Sequence, residues 1–195
     1  MSADSITAYE MHAAHFLQHR DVSTIGVRVV SQWAASRKPG PCVIEIACGG
    51  GLPVTRALID AGLEVWAIDA SPSLIATFQA RFPEVPVKCE SVQSSDYFER
   101  NYDAAIAIGL IFLLSEEDQF RMLSRVAEVL NPGGHFLFTA PVETGSWADM
   151  NTGHLCRSLG REVYQHAMNE AGLRIVGEYE DSGRNHYYAT EKLLD

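Results

Sequence analysis

Positive charge is scarce in this chain: 15 Lys and Arg stand against 25 Asp and Glu over 195 residues, a formal net charge of −10. That balance repels a phosphate backbone, and no Lys/Arg cluster offsets it locally, so neither DNA nor bulk RNA is an expected partner. Long apolar runs are missing as well, which excludes a membrane span. The start, Met1-Ser2-Ala3-Asp4, lacks the basic and apolar regions of a secretory signal, so a cytoplasmic location is expected. Cys42, Cys48, Cys89 and Cys156 form no CxxC pair and no zinc-finger spacing. Free thiols are therefore expected rather than a disulfide framework or a metal staple. The sequence has no internal repeats and no low-complexity tracts. Its 47% hydrophobic and 21% charged residues are a globular composition, and its length suits one domain with a sizeable core.

What the chain does have is an apolar run that ends in an acid and glycines, Val43-Ile44-Glu45-Ile46-Ala47-Cys48-Gly49-Gly50-Gly51. Its apolar residues do not alternate cleanly, so 42–47 reads as a strand buried on both faces, central in a parallel sheet. Upstream, Ile6, Tyr9, Ala13, Phe16 and Leu17 recur at helical spacing over 6–19. Val22, Ile25, Val29 and Trp33 do the same after a cap at Asp21 or Ser23. Two helices are thus expected before the breaker Lys38-Pro39-Gly40-Pro41.

Downstream, Pro53 suits the first turn of a helix over 53–61 and Gly62 its stop. Further strands are expected over 64–68, 87–90, 104–108 and 135–139, with a helix near 73–81. Ser115 and Asp118 form a capping box for a helix that carries Phe120, Leu123, Ala127 and Leu130 inward, and Asn131-Pro132-Gly133-Gly134 turns the chain into the next strand. This alternation predicts a doubly wound α/β sheet with right-handed crossovers. The tail differs: after a helix over 161–171, two β-rich runs at 173–179 and 185–190 suggest a hairpin. The expected fold is a mostly parallel seven-stranded sheet with a C-terminal antiparallel hairpin and two N-terminal helices.

A glycine-rich turn at the carboxyl end of a parallel strand, followed by a helix N-terminus, suits the anionic end of a cofactor. A second apolar run, Val65-Trp66-Ala67-Ile68, ends in Asp69, roughly 20 residues on, where a ribose-binding carboxylate is expected. A dinucleotide pyrophosphate asks for GxGxxG/A, but Val54 holds the third position and Pro53 removes an N–H; a Walker A loop is excluded because no GK[ST] follows. The remaining adenosine ligand of this layout is S-adenosylmethionine, its carboxylate at the helix N-terminus and its ribose at Asp69.

At these residues the chain resembles the class I S-adenosylmethionine-dependent methyltransferases, from about Val43 to Thr139. The resemblance implies a Rossmann-like core over 42–195 under an N-terminal helical cap over 1–38, together one methyltransferase domain over 1–195. Glu45 to Gly51 matches the family's first motif, with Glu45 orienting the loop and the methionyl end, and Ala47, Gly49 and Gly51 passing beneath the cofactor. Ala47 stands where the family usually has glycine. Asp69, followed by Ala70, matches the acid that holds the ribose hydroxyls, and Ser91 and Val92 match the segment beside the adenine, where an acid often replaces Ser91. Tyr102 to Gly109 matches the fourth motif, with Ile108 and Gly109 presenting backbone to the methionyl amine. Leu130-Asn131-Pro132-Gly133-Gly134 matches the turn before strand five.

The sulfonium already favours transfer, so the acceptor side leaves little signature. His186, His154 and Glu143 are candidate bases, and Tyr9, Trp147 and Tyr188 candidate pocket residues. Sheet packing alone would also explain His186 and Tyr188 on one strand face with Tyr187 on the other. The polar stretch 141–156 suits a pocket-lining loop or a solvated connection. His12, His15 and His19 share a helix face, but nothing completes a metal site, and Cys48 reads as a buried filler. The expected activity is direct in-line methyl transfer, without metal, to an oxygen or nitrogen of a small molecule, by a monomer or homodimer. The fourth motif lacks the Asn/Asp-Pro-Pro-aromatic element of base-amino methyltransferases, while a protein acceptor stays open. The alternatives are an NAD-dependent oxidoreductase and a non-catalytic S-adenosylmethionine- or nucleoside-binding module.

Overall fold

The apolar run Cys42–Ile46 forms β1, and all five of its residues are buried. The computed structural model describes residues 3–37 and 40–194; Met1 and Ser2, and Lys38 and Pro39 of the expected breaker, lie outside the described residues. In chain order the elements are α1 (Ala3–Met11), α2 (Ala13–Asp21), α3 (Val27–Ala35), β1, α4 (Val54–Asp60), β2 (Glu64–Asp69), α5 (Pro72–Arg81), β3 (Val87–Cys89) and β4 (Tyr102–Ala107). Then come α6 (Glu116–Val129), β5 (Leu130–Thr139), β6 (Gly145–Ala148), β7 (Leu155–Ser158), α7 (Arg161–Glu170), β8 (Leu173–Glu180) and β9 (His186–Lys192).

The main sheet has seven strands in the order β3-β2-β1-β4-β5-β9-β8. The first five run parallel, and β9 lies antiparallel between β5 and β8, as the expected hairpin requires. The winding direction reverses between β1 and β4, so their carboxyl ends open the crevice where doubly wound sheets hold ligands. Alternate residues feed two cores. Ile44, Ile46, Ala105, Phe136, Phe138 and Tyr188 meet α6 and α7 on one face; Val43, Ala104, Ile106, Leu137 and Tyr187 meet α3 and α4 on the other. Among the described residues, no helix is long and apolar enough to cross a membrane.

Among the described residues three helices, not two, precede β1. The periodic stretch 6–19 breaks at His12, which caps α2 with φ −107° and ψ 11°. A straight helix would set Tyr9 and Phe16 about 10 Å apart along its axis, whereas the break brings their rings to 5.8 Å, edge to face. The third helix starts at Val27 rather than directly after Asp21 or Ser23, because Gly26 adopts φ 83° and the Tyr187 hydroxyl stands 2.5 Å from where a Cβ would lie. This helix buries Val29, Val30, Trp33 and Ala34 against the sheet, so it is core rather than lid.

Two further expectations change. Phe120 points outward at 36% exposure, because the inward stripe of α6 runs through Gln119, Met122, Leu123 and Val126. The stretch expected as a loop over 141–156 contains a second, two-stranded sheet, β6 with β7. Buried Gln119 anchors that excursion: its Nε2 donates to the carbonyls of Leu114 at 3.2 Å and Arg157 at 3.0 Å, and its Oε1 accepts from the Tyr164 hydroxyl at 2.8 Å.

In the glycine turn, Gly51 has φ 86°, and a Cβ there would meet Phe82 at 2.4 Å and Phe78 at 3.1 Å. Gly51→Ala combines left-handed strain with overpacking and should cost about 3 kcal/mol, read as a lower urea midpoint at unchanged m-value.

Candidate functional site

The carboxyl ends of β1, β2 and β4 open into a cavity of about 760 Å³, within the usual range of sites that enclose small molecules. Its floor is Ala47, Gly49, Asp69, Ala70, Ile108 and Gly109. Ile6, Tyr9, Phe16 and Arg20 of α1 and α2 roof one side; Phe112, Glu143, Trp147 and Asp149 stand opposite, and His186 and Tyr187 close the β9 end.

The floor is set by backbone. Ala47 holds φ 60°, which explains why glycine suits this position, and Gly109 has φ 75° with its N–H donating to Thr139 Oγ1 at 2.7 Å. Asp69 Oδ2 accepts from the Gly49 N–H at 2.9 Å and Oδ1 from the Ser71 N–H at 2.9 Å, which ties the ends of β1 and β2 together. Burial raises the Asp69 carboxyl above its ordinary value, against the amides of Ser71, Gly49 and Ala70. Glu90, at the end of β3, lines the same wall, and its Oε2 is buried with no partner among the described residues.

Not every residue singled out in the sequence reaches the cavity. Ala47, Gly49, Asp69, Ala70, Val92, Ile108, Gly109, Tyr9, Trp147, Glu143 and His186 line it; Glu45, Gly51, Ser91, His154 and Tyr188 do not. Glu45 points under the floor, where its Oε2 accepts from Thr55 Oγ1 at 2.6 Å and so fixes the start of α4. Gly51 faces Phe78 and Phe82. Ser91 is engaged with the Ser94 hydroxyl at 2.9 Å, while its neighbour Glu90 supplies the acid. Tyr188 is corrected from pocket wall to core: it is fully buried and stacks on Phe138 at 5.2 Å. His154 lies in the turn between β6 and β7, where its carbonyl accepts from the Asp149 N–H. His15 and His19 sit 3.0 Å apart on the exposed face of α2, and no group of three metal-ligating side chains exists among the described residues. Cys48 is buried beside the glycines, and burial pushes its thiol well above the ordinary value.

Besides Glu90 and Phe112, Arg20 and Asp149 go unseen in the sequence. Arg20 brings a guanidinium to the cavity, lowered by burial and supported by Tyr187, Glu45 and Asp181; its only local signal is a lone cation at a helix end. Asp149 accepts from the Tyr9 hydroxyl at 3.4 Å and holds the turn through the N–H groups of Asn151 and Thr152. Burial raises the Tyr9 phenol far above its usual value, so it stays a donor.

The carboxylates of Asp69 and Glu90, the guanidinium of Arg20 and a left-handed backbone floor at the ends of β1, β2 and β4 match the arrangement expected of a class I S-adenosylmethionine-dependent methyltransferase. Residues 43–134 match the family model described as a methyltransferase domain. Over 113 residues it is 29% identical to a "probable S-adenosylmethionine-dependent methyltransferase" of Mycolicibacterium smegmatis, covering 58% of this chain and 43% of that protein. Over 132 residues it is 28% identical to a "probable tRNA methyltransferase 9B" of Mus musculus, covering 67% of this chain and 28% of that protein. The chain therefore spans less than half the length of these curated relatives. The fold is similar to that of Burkholderia thailandensis 1,6-didemethyltoxoflavin-N1-methyltransferase, solved with 1,6-didemethyltoxoflavin and S-adenosylhomocysteine. That likeness has TM-score 0.76 at 19% identity and covers 99% of this chain and 87% of that one.

The family's cofactor, S-adenosylmethionine, fits the residues present. Adenosine hydroxyls and amine are donors that Asp69 and the orphaned Glu90 oxygen can accept from, and Arg20 suits the methionyl carboxylate.

Burial pushes the Glu45 carboxyl up from 4.5 to about 8, against the Thr55 hydrogen bond and Arg20 and with the help of Asp69. Between pH 4.5 and about 8 the native state keeps a proton there that the unfolded chain has released, so stability falls as pH rises through that window. Glu45→Gln should flatten this decline, seen as a smaller drop in Tm between pH 5 and pH 8.

Proposed function

We propose that this chain transfers the methyl group of S-adenosylmethionine to an oxygen or nitrogen of a small organic acceptor. One observation carries the reading: a single cavity joins the Gly49 and Asp69 floor to a second half lined by Tyr9, Phe112, Glu143, Trp147 and His186. The cofactor supplies an electrophilic methyl on a sulfonium. Gly49, Asp69, Glu90, Val92 and Gly109 hold its adenosine and methionyl parts, and Arg20 pairs with its carboxylate. Phe112 and Trp147, with ring centroids 5.5 Å apart, give the acceptor an apolar face, and the roof of α1 and α2 keeps water from the reacting centre. The residues thus contribute mainly alignment and dryness.

Charge supports a small acceptor over a nucleic acid. Five carboxylates, Asp69, Glu90, Glu143, Asp149 and Glu180, line the cavity against two guanidiniums, Arg20 and Arg184, on a chain of net charge −10. A polyanion would meet repulsion at the mouth and within. The Burkholderia neighbour, which holds a heterocycle and S-adenosylhomocysteine together, supports the same division of a cavity into two halves.

Calorimetric titration tests this reading. S-adenosylmethionine and S-adenosylhomocysteine should each bind the wild type at one site, and Asp69→Asn should weaken both by about tenfold or more through lost charged hydrogen bonds. Absence of any binding heat with the wild type would overturn it.

A further inference from the structure

His186 stands in a chain of polar contacts that packing of the hairpin does not require. Its Nε2 lies 2.9 Å from Glu178 Oε2, and Glu178 is gripped by both arms of Arg161, with Nε to Oε2 at 3.2 Å and Nη2 to Oε1 at 2.6 Å. The Tyr188 ring meets the imidazole edge to face at 4.6 Å and limits its rotation. His186 lines the cavity where β9 passes the end of β5, and its carbonyl accepts from the Ala140 N–H. Its Nδ1 has no hydrogen-bond partner among the described residues, and it is not among the buried atoms left unpaired, so this nitrogen is open to the cavity or to solvent.

Resting on the methyltransferase reading above, we propose that His186 Nδ1 is the general base for the acceptor, with Glu178 and Arg161 as its positioning residues. The acceptor class that follows is an aromatic compound bearing a phenolic O–H. Three observations support this. A carboxylate at Nε2 fixes the proton there and leaves the Nδ1 lone pair exposed. Arg161 beside Glu178 holds that carboxyl below its ordinary value, so the partner stays anionic. An imidazole is better matched to a phenol than to an aliphatic alcohol, while Phe112 and Trp147 offer a flat ring its apolar contact.

In the step itself, the acceptor heteroatom bonds to the methyl carbon as the carbon–sulfur bond breaks and its electron pair returns to sulfur. The proton leaving the heteroatom bonds to Nδ1, and the resulting imidazolium is paired with Glu178. The charged and titratable groups around the ring are Glu178 and Glu180 on β8, Arg161 on α7, Glu143 after β5, Arg184 in the β8–β9 turn and Tyr188 on its own strand.

Two readouts test the assignment. Long-range ¹⁵N–¹H spectra of histidine-labelled protein, with His186 assigned from His186→Gln, should show the proton on Nε2 in the wild type and a mixture of the two tautomers in Glu178→Gln. Transfer of tritiated methyl from S-adenosylmethionine into a metabolite extract should fall about 100-fold in His186→Gln, with calorimetric affinity for S-adenosylmethionine within twofold. In Glu178→Gln the fall should be smaller and confined to kcat, with KM unchanged, and Glu178→Asp should recover part of it. A His186 proton on Nδ1, or transfer by His186→Gln within threefold of wild type, would overturn the proposal while leaving the methyltransferase reading intact; loss of S-adenosylmethionine binding by the wild type would instead remove that reading.

Discussion

The carboxylate of Asp69 is the constraint on which the rest of the site hangs. It closes β2, takes the N–H of Gly49 just beyond β1 and the N–H of Ser71 just before α5, and so fixes two strand ends and a helix start relative to one another. From Ser71 the linkage continues: its hydroxyl caps α5 at Leu74 and donates to Glu10 of α1, which also accepts from the Ser73 N–H at 3.1 Å. The helical roof is thereby referenced to the same acid that marks the floor. A second clasp, Asp21 of α2 with Arg81 of α5, whose guanidinium also donates to the Gly50 carbonyl at 3.1 Å, holds the other end of the roof over the glycine turn. Buried carboxylates are costly unless satisfied, and here each bond that satisfies one also positions a wall.

Much of this was legible in the residues, for physical reasons. Strands buried on both faces write themselves as apolar runs, and β1, β2 and β4 fall within two residues of where those runs lie. The capping box at Ser115 and Asp118 depends on local hydrogen bonds, and the structure forms it at 3.2 Å. Where an outcome depended on distant partners, the residues alone were insufficient. Periodicity runs unbroken through His12, but the aromatic pair across the break decides the geometry. The strand β6 has four exposed residues, so it carries no apolar alternation to read. Phe120 was placed inward by spacing; Gln119, a polar residue, takes the buried position because Arg157 and Tyr164 bond to it from far along the chain.

The candidate site divides the same way. Gly49, Asp69, Ile108 and Gly109 belong to short motifs whose function follows from strand ends, and the structure brings them to one floor. Glu178 could not be singled out, since its meaning comes from the β8–β9 register: it faces Tyr188, which places it diagonally from His186 on one face of the hairpin. Arg20 is a related case. Its guanidinium matters because α2 crosses the cavity, and nothing within a few residues of it announces that path.

The anchoring of the β6–β7 excursion by Gln119 has a consequence for how the molecule is built. The excursion leaves the end of β5, returns through Ser158, whose hydroxyl donates to the Pro141 carbonyl at 3.0 Å, and rejoins the core at α7. Its anchors to the core lie on the α6–α7 side of the sheet, whereas the glycine turn, Asp69 and the helical roof are tied to α4 and α5 on the opposite side. The two halves of the cavity have separate foundations and meet across the opening where the Tyr9 hydroxyl donates to Asp149. Residues 141–158 can therefore be exchanged as a cassette, remodelling one wall without disturbing a single hydrogen bond of the floor.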